Sequence, residues 1–432
     1  MTTDEKRLGT KTDSVLFLSL LLTAVVFGTL ASYLSEIRTS LVPSSGPNAK
    51  SKFEPLQDGT WRFVVSGDSR NCGDIVMPTI ATDSKMRYQP AFYWHLGDLR
   101  AIYKIDEDMA GAAQKSGQSL SCRSYLKQAW PDFVDHQILP FGTTRFYVGI
   151  GNHEVIPPKT GVEFSTVFED WLLTPRRQMA ARDQALMSTV GACQSVAAKE
   201  HLTPTTYYHW IRGKVDFVYL DNSAGSFPNE ELAWFDCVIY MDRNNGAIST
   251  IVVGMHEALP GSLAADHAMC DESMKDERKR TESCESGRHV YRTLVDTKAS
   301  KRIYVLASHS HFYMSGIFNN QPADNRLDGW IVGTAGAVRY PLPTGTKPGL
   351  EAIADVYGYL LGTVRTNGSI DFSFKEVHEA DVTREIRDRY PEELMGWCFA
   401  MNSRNKDPES EETTNRCIPL QIPTSASPTT AK

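Results

Sequence analysis

The chain lacks any long basic stretch, and its 432 residues carry a net charge of -7. Phosphate-backbone affinity is built from clustered Lys and Arg, so nucleic-acid binding is not expected. No Cys-x-x-Cys pair occurs, which argues against a structural zinc site. No internal repeat is present, which excludes a repeat architecture. Long apolar runs are also missing, with one exception: Ser14 to Leu34 is uncharged, rich in Leu, Val, Phe and Ala, and follows Lys6, Arg7 and Lys11. About twenty such residues are enough to span a bilayer as a helix.

That run reads either as an uncleaved anchor or as a signal peptide cut after Ala31, where Thr29 and Ala31 supply the small residues. Its length is great for a signal segment and favours the anchor. Both readings place the remainder outside the cytoplasm, periplasmic in a bacterium and secreted if the segment is cleaved. Eight cysteines fit that compartment: Cys72, Cys122, Cys193, Cys237, Cys270, Cys284, Cys398 and Cys417. They suggest disulfides, with the sequence neighbours Cys270 with Cys284 and Cys398 with Cys417 as the first pairs to expect. With 41% apolar and 22% charged residues, the chain has the means to bury a sizeable core.

Five short apolar runs end in polar residues. Phe63 to Val65 lead to Asp68-Ser69-Arg70, and Ala91 to Leu96 lead to Gly97-Asp98-Leu99-Arg100. Arg145 to Ile150 lead to Gly151-Asn152-His153-Glu154, Ile251 to Val253 to His256, and Ile303 to Leu306 to His309-Ser310-His311. Such runs read as buried strands, and in open α/β sheets ligands sit beyond the carboxyl ends of strands. Further strands are expected at Thr206 to Trp210, Val215 to Leu220, Phe312 to Phe318, Gly329 to Gly333, Val356 to Val364 and Ile370 to Phe374. Helices are expected at Asp74 to Met86, Ser121 to Leu139, Glu230 to Met241, His289 to Thr297 and Glu379 to Asp388. His95, His136, His201, His209, His267, His289 and His378 lie off these ends and are read as structural, as are Tyr207, Tyr208, Trp210 and Trp234.

The ordered set Gly-Asp, Gly-Asp, Gly-Asn-His-Glu, lone His and His-x-His resembles the calcineurin-like metallophosphoesterases over roughly Trp61 to Glu376. Gly-Asn-His-Glu is its specific piece. The resemblance implies an α/β four-layer sandwich, two mixed β-sheets flanked by helices. Together with the N-terminal run, this divides the chain into a short cytoplasmic tail (1–13), a transmembrane signal anchor or signal peptide (14–34), a linker (35–58), the phosphoesterase domain that the resemblance implies (59–378) and a C-terminal helix with a poorly ordered tail (379–432). Insertions fall at 157–204, partly helical, and at 263–287, a polar surface segment.

By the same resemblance two divalent metal ions, from Mn, Fe, Zn or Co, would sit about 3.5–4 Å apart and activate a water against a phosphoester. Asp98 would bridge them, Asp68 and His311 would hold the first, and Asn152, His256 and His309 the second. His153 would stand near the leaving group as general acid or electrostatic stabiliser. The substrate would be a phosphoester, either a small molecule or a lipid, with the N-terminal helix in the membrane.

Two departures matter. Arg70 stands where relatives carry a His ligand, and a guanidinium cannot coordinate a cation. It is read either as a fork for phosphate oxygens or as a salt-bridge partner of a nearby Asp, with Ser69, Asn71, Asp74 or a water as substitute ligand. Ala101 replaces the Asp or Tyr usual in the second motif, and Tyr103 is two residues late. The alternative to a hydrolase is therefore a family member reduced to one metal that binds a phosphorylated ligand or partner.

Overall fold

The computed structural model describes residues 56, 58–198, 204–264, 267–346, 349, 351–404 and 417. The first three strands, β1 (Trp61–Ser66), β2 (Phe92–His95) and β3 (Arg145–Val148), pair in parallel. Then β4 (Tyr208–Arg212), β5 (Val215–Tyr219), β6 (Thr250–Gly254), β7 (Arg302–Ala307), β8 (Tyr313–Ser315), β9 (Asp328–Val332) and β10 (Ala352–Ile353) build a second sheet. The chain returns to the first with β11 (Gly358–Val364) and β12 (Ile370–Glu376). The orders are β12-β11-β1-β2-β3 and β10-β8-β9-β7-β6-β5-β4, and both sheets mix parallel and antiparallel pairs.

Side-chain alternation explains why the central strands read as unbroken apolar runs, since both their faces are covered. Phe217, Val252 and Leu306 turn to a core shared with the first sheet, while Val218, Val253 and Val305 turn to one shared with Val238, Val290 and Leu294 of two helices. Aromatic rings fill the space between sheets. Phe63 and Phe92 each lie 5.1 Å from Phe217, Trp94 lies 5.0 Å from Trp210, and Trp330 lies 4.3 Å from Phe372. Tyr208, Trp210 and Trp234 are buried core residues, as the sequence indicated. The α/β fold of two mixed sheets with helices outside is present.

Local readings fare unevenly. The stretch 157–204 contains helices Gly161–Val167 and Glu169–Met187, which bury Phe164, Phe168 and Leu172. The helix expected from His289 begins twelve residues earlier, at Glu277, where the Asp276 side chain caps the backbone N–H groups of Arg278 and Lys279. Glu379 to Asp388 is not one helix. Extended backbone at Val382 and Thr383 splits it into Glu379–Asp381 and Arg384–Arg387, and a further helix, Glu392–Ala400, was not anticipated.

All eight cysteines are paired. Cys270–Cys284 forms as expected, but Cys398 does not join Cys417; the other pairs are Cys72–Cys398, Cys122–Cys417 and Cys193–Cys237. Sequence proximity guides only local bridges, and Cys72–Cys398 spans 326 positions. Four disulfides are what an oxidising compartment permits. The expected transmembrane helix is withdrawn: no helix among the described residues is long and apolar enough to cross a membrane, and residues 14–34 lie outside them.

Cys72–Cys398 ties the helix that follows the first motif, Gly73–Arg87, to Glu392–Ala400. Replacing both cysteines by Ser is expected to lower unfolding free energy by about 2–5 kcal/mol, because it frees a very long loop in the unfolded chain. Urea denaturation compared with the wild type checks this. An unchanged midpoint would show that the bridge is not formed or does not constrain the unfolded ensemble.

Candidate metal centre

The five strand ends meet. Asp68, Asp98 and Asn152 follow β1, β2 and β3, while His256 follows β6 and His309 and His311 follow β7, so the two sheets deliver the residues from opposite sides. Asp68, Asp98 and His309 adopt φ of 61°, 59° and 64°, left-handed backbone that is costly for non-glycine residues and that concentrates at functional sites. Gly151 is required by close approach: a Cβ there would lie 2.4 Å from Asp98 Oδ1.

Asp98, His256 and His309 offer ligand atoms that all lie within 4.8 Å of one another. The His256 Nδ1–H donates to the Leu96 carbonyl at 3.0 Å, which turns Nε2 toward the cluster. Around that Nε2 stand Asn152 Oδ1 at 3.0 Å, His309 Nδ1 at 3.1 Å and Asp98 Oδ1 at 3.3 Å. Burial opposes a charge on His256, yet Asp98, with Asp68 beyond it, pushes its pKa up to about 10. Positive charge is therefore strongly favoured there. Converging lone pairs and a demand for positive charge make this donor set one that a divalent cation fits.

The companion cluster of Asp68, Asp98 and His311 also lies within 4.8 Å. Its Asp68 Oδ1 and Asp98 Oδ2 are buried with no hydrogen-bond partner among the described residues. Burial pushes the Asp68 carboxyl up to about 6, while the Arg70 guanidinium and His256 pull it down.

Arg70 enters this second cluster. Arg70 is 5% exposed, with Nη1 2.7 Å from His153 Nε2, Nη2 3.0 Å from His311 Nε2 and Nε 3.9 Å from Asp98 Oδ2. His153 and His311 each commit Nδ1–H to a carbonyl, Ala101 and Val338, at 2.6 Å. Both Nε2 atoms therefore accept from Arg70, and the lone pair with which His311 would hold a metal is taken. A cation at this first position does not fit the arrangement.

None of the three side chains expected as substitutes fills that place. Ser69 turns to His95 and Leu99, Asn71 donates to Glu107 and accepts from the Val338 N–H, and Asp74 pairs with Arg100. Arg100 also reaches Asp108 at 3.2 Å and Asp132, which settles the acid–imidazole group of Asp74, Asp132 and His136 as a structural network. Asp98, in contact with Arg70, His153 and His256, is held well below the usual carboxylate range although burial works the other way.

Some neighbours had no role at the site assigned from the sequence. Glu154 accepts the backbone N–H groups of Asp98, Leu99 and Gly151 at 2.7 to 2.9 Å, which locks the second motif to the third. His267, read as structural, lies 5.4 Å from the His309 ring, and Tyr340 lies 4.0 Å from the His311 ring. Tyr103, two residues late in its motif, lies 5.4 Å from the His153 ring. Of the other histidines, His209 sits between Asp183 and Asp216, at 2.7 Å from each, and is structural; His201 lies outside the described residues.

No protein-family model and no curated protein sequence matches the chain. Among solved structures, GAP50, described as the anchor in the inner membrane complex of Plasmodium, is similar at 13% identity and a TM-score of 0.43, covering 73% of this chain and 84% of that one. Purple acid phosphatase PPD1 of yellow lupin shows 16% identity and 0.43, covering 76% and 55%. The 5'-nucleotidase of Candida albicans shows 12% and 0.36, covering 83% and 60%. Likenesses this distant say nothing of activity, and the weight falls on sheet order and on the ordered strand ends. The sheet order and the ordered strand ends are features of the chain itself, two mixed sheets flanked by helices with the candidate ligands beyond the strands.

Proposed function

We propose that the chain is a metal-dependent hydrolase of phosphoesters that keeps one metal position, held by Asp98, Asn152, His256 and His309, and sets the Arg70 guanidinium where its relatives would place the other ion. The observation that carries this reading is the convergence of Asn152 Oδ1, Asp98 Oδ1 and His309 Nδ1 on His256 Nε2, all within 3.3 Å. A divalent ion bound there would polarise a phosphoryl oxygen and lower the pKa of a nearby water. Arg70 would bind phosphate oxygens through its planar fork, for which Arg geometry is suited. His153 presents an unprotonated Nε2, since its Nδ1–H is committed to Ala101 and Nε2 accepts from Arg70, and would take up a proton there once Arg70 turned to phosphate.

The test is metal analysis of the purified protein together with a panel of phosphate mono- and diesters, before and after chelation. About one equivalent of tightly held metal and turnover that chelation removes are expected. His153→Ala is expected to keep that metal while turnover falls roughly 10²-fold, as loss of a proton-transfer group does. If the variant loses metal as well, His153 supports the ligands instead.

The second reading is a protein that binds a phosphorylated ligand without turning it over. Its support is the bridge that Arg70 makes between His153 and His311, which occupies both imidazole lone pairs. Phosphate binding with no hydrolysis of any ester in the panel would select it.

A further inference from the structure

Two tyrosines flank the imidazoles that Arg70 joins. Tyr340 lies 4.0 Å from the His311 ring, and Tyr103 lies 5.4 Å from the His153 ring. Their surroundings differ. Tyr340 is 5% exposed, with the Arg404 guanidinium 4.0 Å from its ring and the His267 ring 5.0 Å away, so it is packed in on several sides. Tyr103 is only half-buried, and it stands beside the imidazole whose Nε2 meets Arg70.

The backbone that carries Tyr103 is held in a costly shape. Ile102 is fully buried with φ of 63°, and left-handed backbone is an outlier for a β-branched residue. The Tyr103 N–H turns back to the Ala101 carbonyl at 2.7 Å, the same oxygen that accepts the His153 Nδ1–H at 2.6 Å. One carbonyl thus ties the Tyr103 backbone to the His153 ring. The helix Cys122–Phe133 braces this turn twice. Its Tyr125 hydroxyl accepts the Ile102 N–H at 2.9 Å while donating to Asp106 at 2.7 Å. Its Cys122 bridges to Cys417, whose N–H donates to the Tyr103 carbonyl at 2.7 Å. Strain of this kind persists only where the surroundings over-determine it, and it gathers at ligand-binding sites. What it fixes here is a half-buried aromatic ring next to His153.

We infer that Tyr103 is a specificity residue whose ring forms the wall for an aromatic leaving group, so that the preferred phosphoesters are those of alcohols with a planar aromatic ring close to the ester oxygen. This rests on the phosphoesterase reading, in which the Arg70 fork binds phosphate oxygens and His153 stands by the leaving group. An ester oxygen beside His153 brings the first ring of its alcohol within reach of the Tyr103 ring. Aromatic pairs attract through offset or edge contacts at centroid distances of about 4.5–7 Å, and a saturated ring of the same size lacks the quadrupole that supplies this attraction.

The experiment compares kcat/KM for benzyl and cyclohexylmethyl phosphates, as monoesters and as methyl diesters. The two alcohols are alike in size and acidity and differ in aromaticity. The pair that is hydrolysed is expected to favour the benzyl ester roughly 2- to 10-fold, the size of an aromatic contact beyond its buried area. The preference should appear in KM, because the contact is made alike in bound substrate and transition state. Tyr103→Phe is expected to keep the ratio, and Tyr103→Leu and Tyr103→Met to bring it to about one. A purely structural Tyr103 would lower both esters together and leave the ratio unmoved. That outcome, or a wild-type ratio of one, overturns the assignment and leaves the phosphoesterase reading standing. If no ester is turned over, calorimetric binding of the same pair decides separately. Tighter benzyl binding that Tyr103→Leu equalises supports the wall while the hydrolase reading falls, and equal or absent binding overturns the wall as well.

Discussion

Asp98→Ala is expected to abolish turnover, by at least about 10³-fold, and to reduce bound metal below one equivalent. Asp98 is common to both acid–imidazole clusters, fully buried, and within 3.3 Å of His256 Nε2. Its Oδ1 also accepts the His153 N–H at 3.0 Å, so the carboxylate positions the Gly-Asn-His-Glu turn as well. Deleting it leaves the Arg70 guanidinium buried without its anion, a loss that typically costs about 3–5 kcal/mol in stability. Asp98→Asn separates the two effects, since the amide keeps the size and one acceptor but gives up the charge. Folding by circular dichroism, metal content by mass spectrometry and ester hydrolysis should be read together. A folded Asp98→Asn protein with its full metal complement would remove Asp98 from the ligand set.

Replacing Arg70 tests the other half of the centre. Arg70→Ala is expected to lower hydrolysis about 10²- to 10³-fold, the usual loss for one donor aimed at developing charge. Inorganic phosphate binding should weaken roughly 10- to 150-fold, corresponding to about 1.5–3 kcal/mol for a charge-assisted hydrogen bond. The same substitution removes the Arg70 donor from His311 Nε2 and takes the counter-charge from Asp68 and Asp98, so metal content at saturation is expected to rise above that of the wild type. Arg70→His should raise it further, since it adds an imidazole between Asp98 and His311 without restoring phosphate affinity. If Arg70→His leaves metal content unchanged and Arg70→Ala leaves phosphate affinity untouched, Arg70 is a structural cation and the one-metal reading fails.

The strand ends were legible because buried strands in a covered sheet are nearly continuous apolar runs, and a polar residue right after one stands out. Asp68, Asp98, Asn152, His256, His309 and His311 were found that way, as was the position of His153. What those residues touch was not legible. Arg70 offered two readings, phosphate fork or salt bridge to Asp, and the structure shows contacts with Asp98 and with two imidazoles, one of them reached across the sheet interface from β7. Periodicity along one strand carries no information about the rotamer of a side chain facing another sheet.

The sequence by itself determined the central strands, most of the helices, the order of the motifs and the local bridge Cys270–Cys284, because each depends on residues close together along the chain. Only the tertiary structure decided the rest. Cys72 met Cys398 rather than leaving it to Cys417, and Glu154 joined the second motif to the third. His267 came to His309, and Arg100 drew Asp74 and Asp108 together. These pairings join segments distant along the chain, and their partners are selected by packing of the two sheets, which no local pattern encodes.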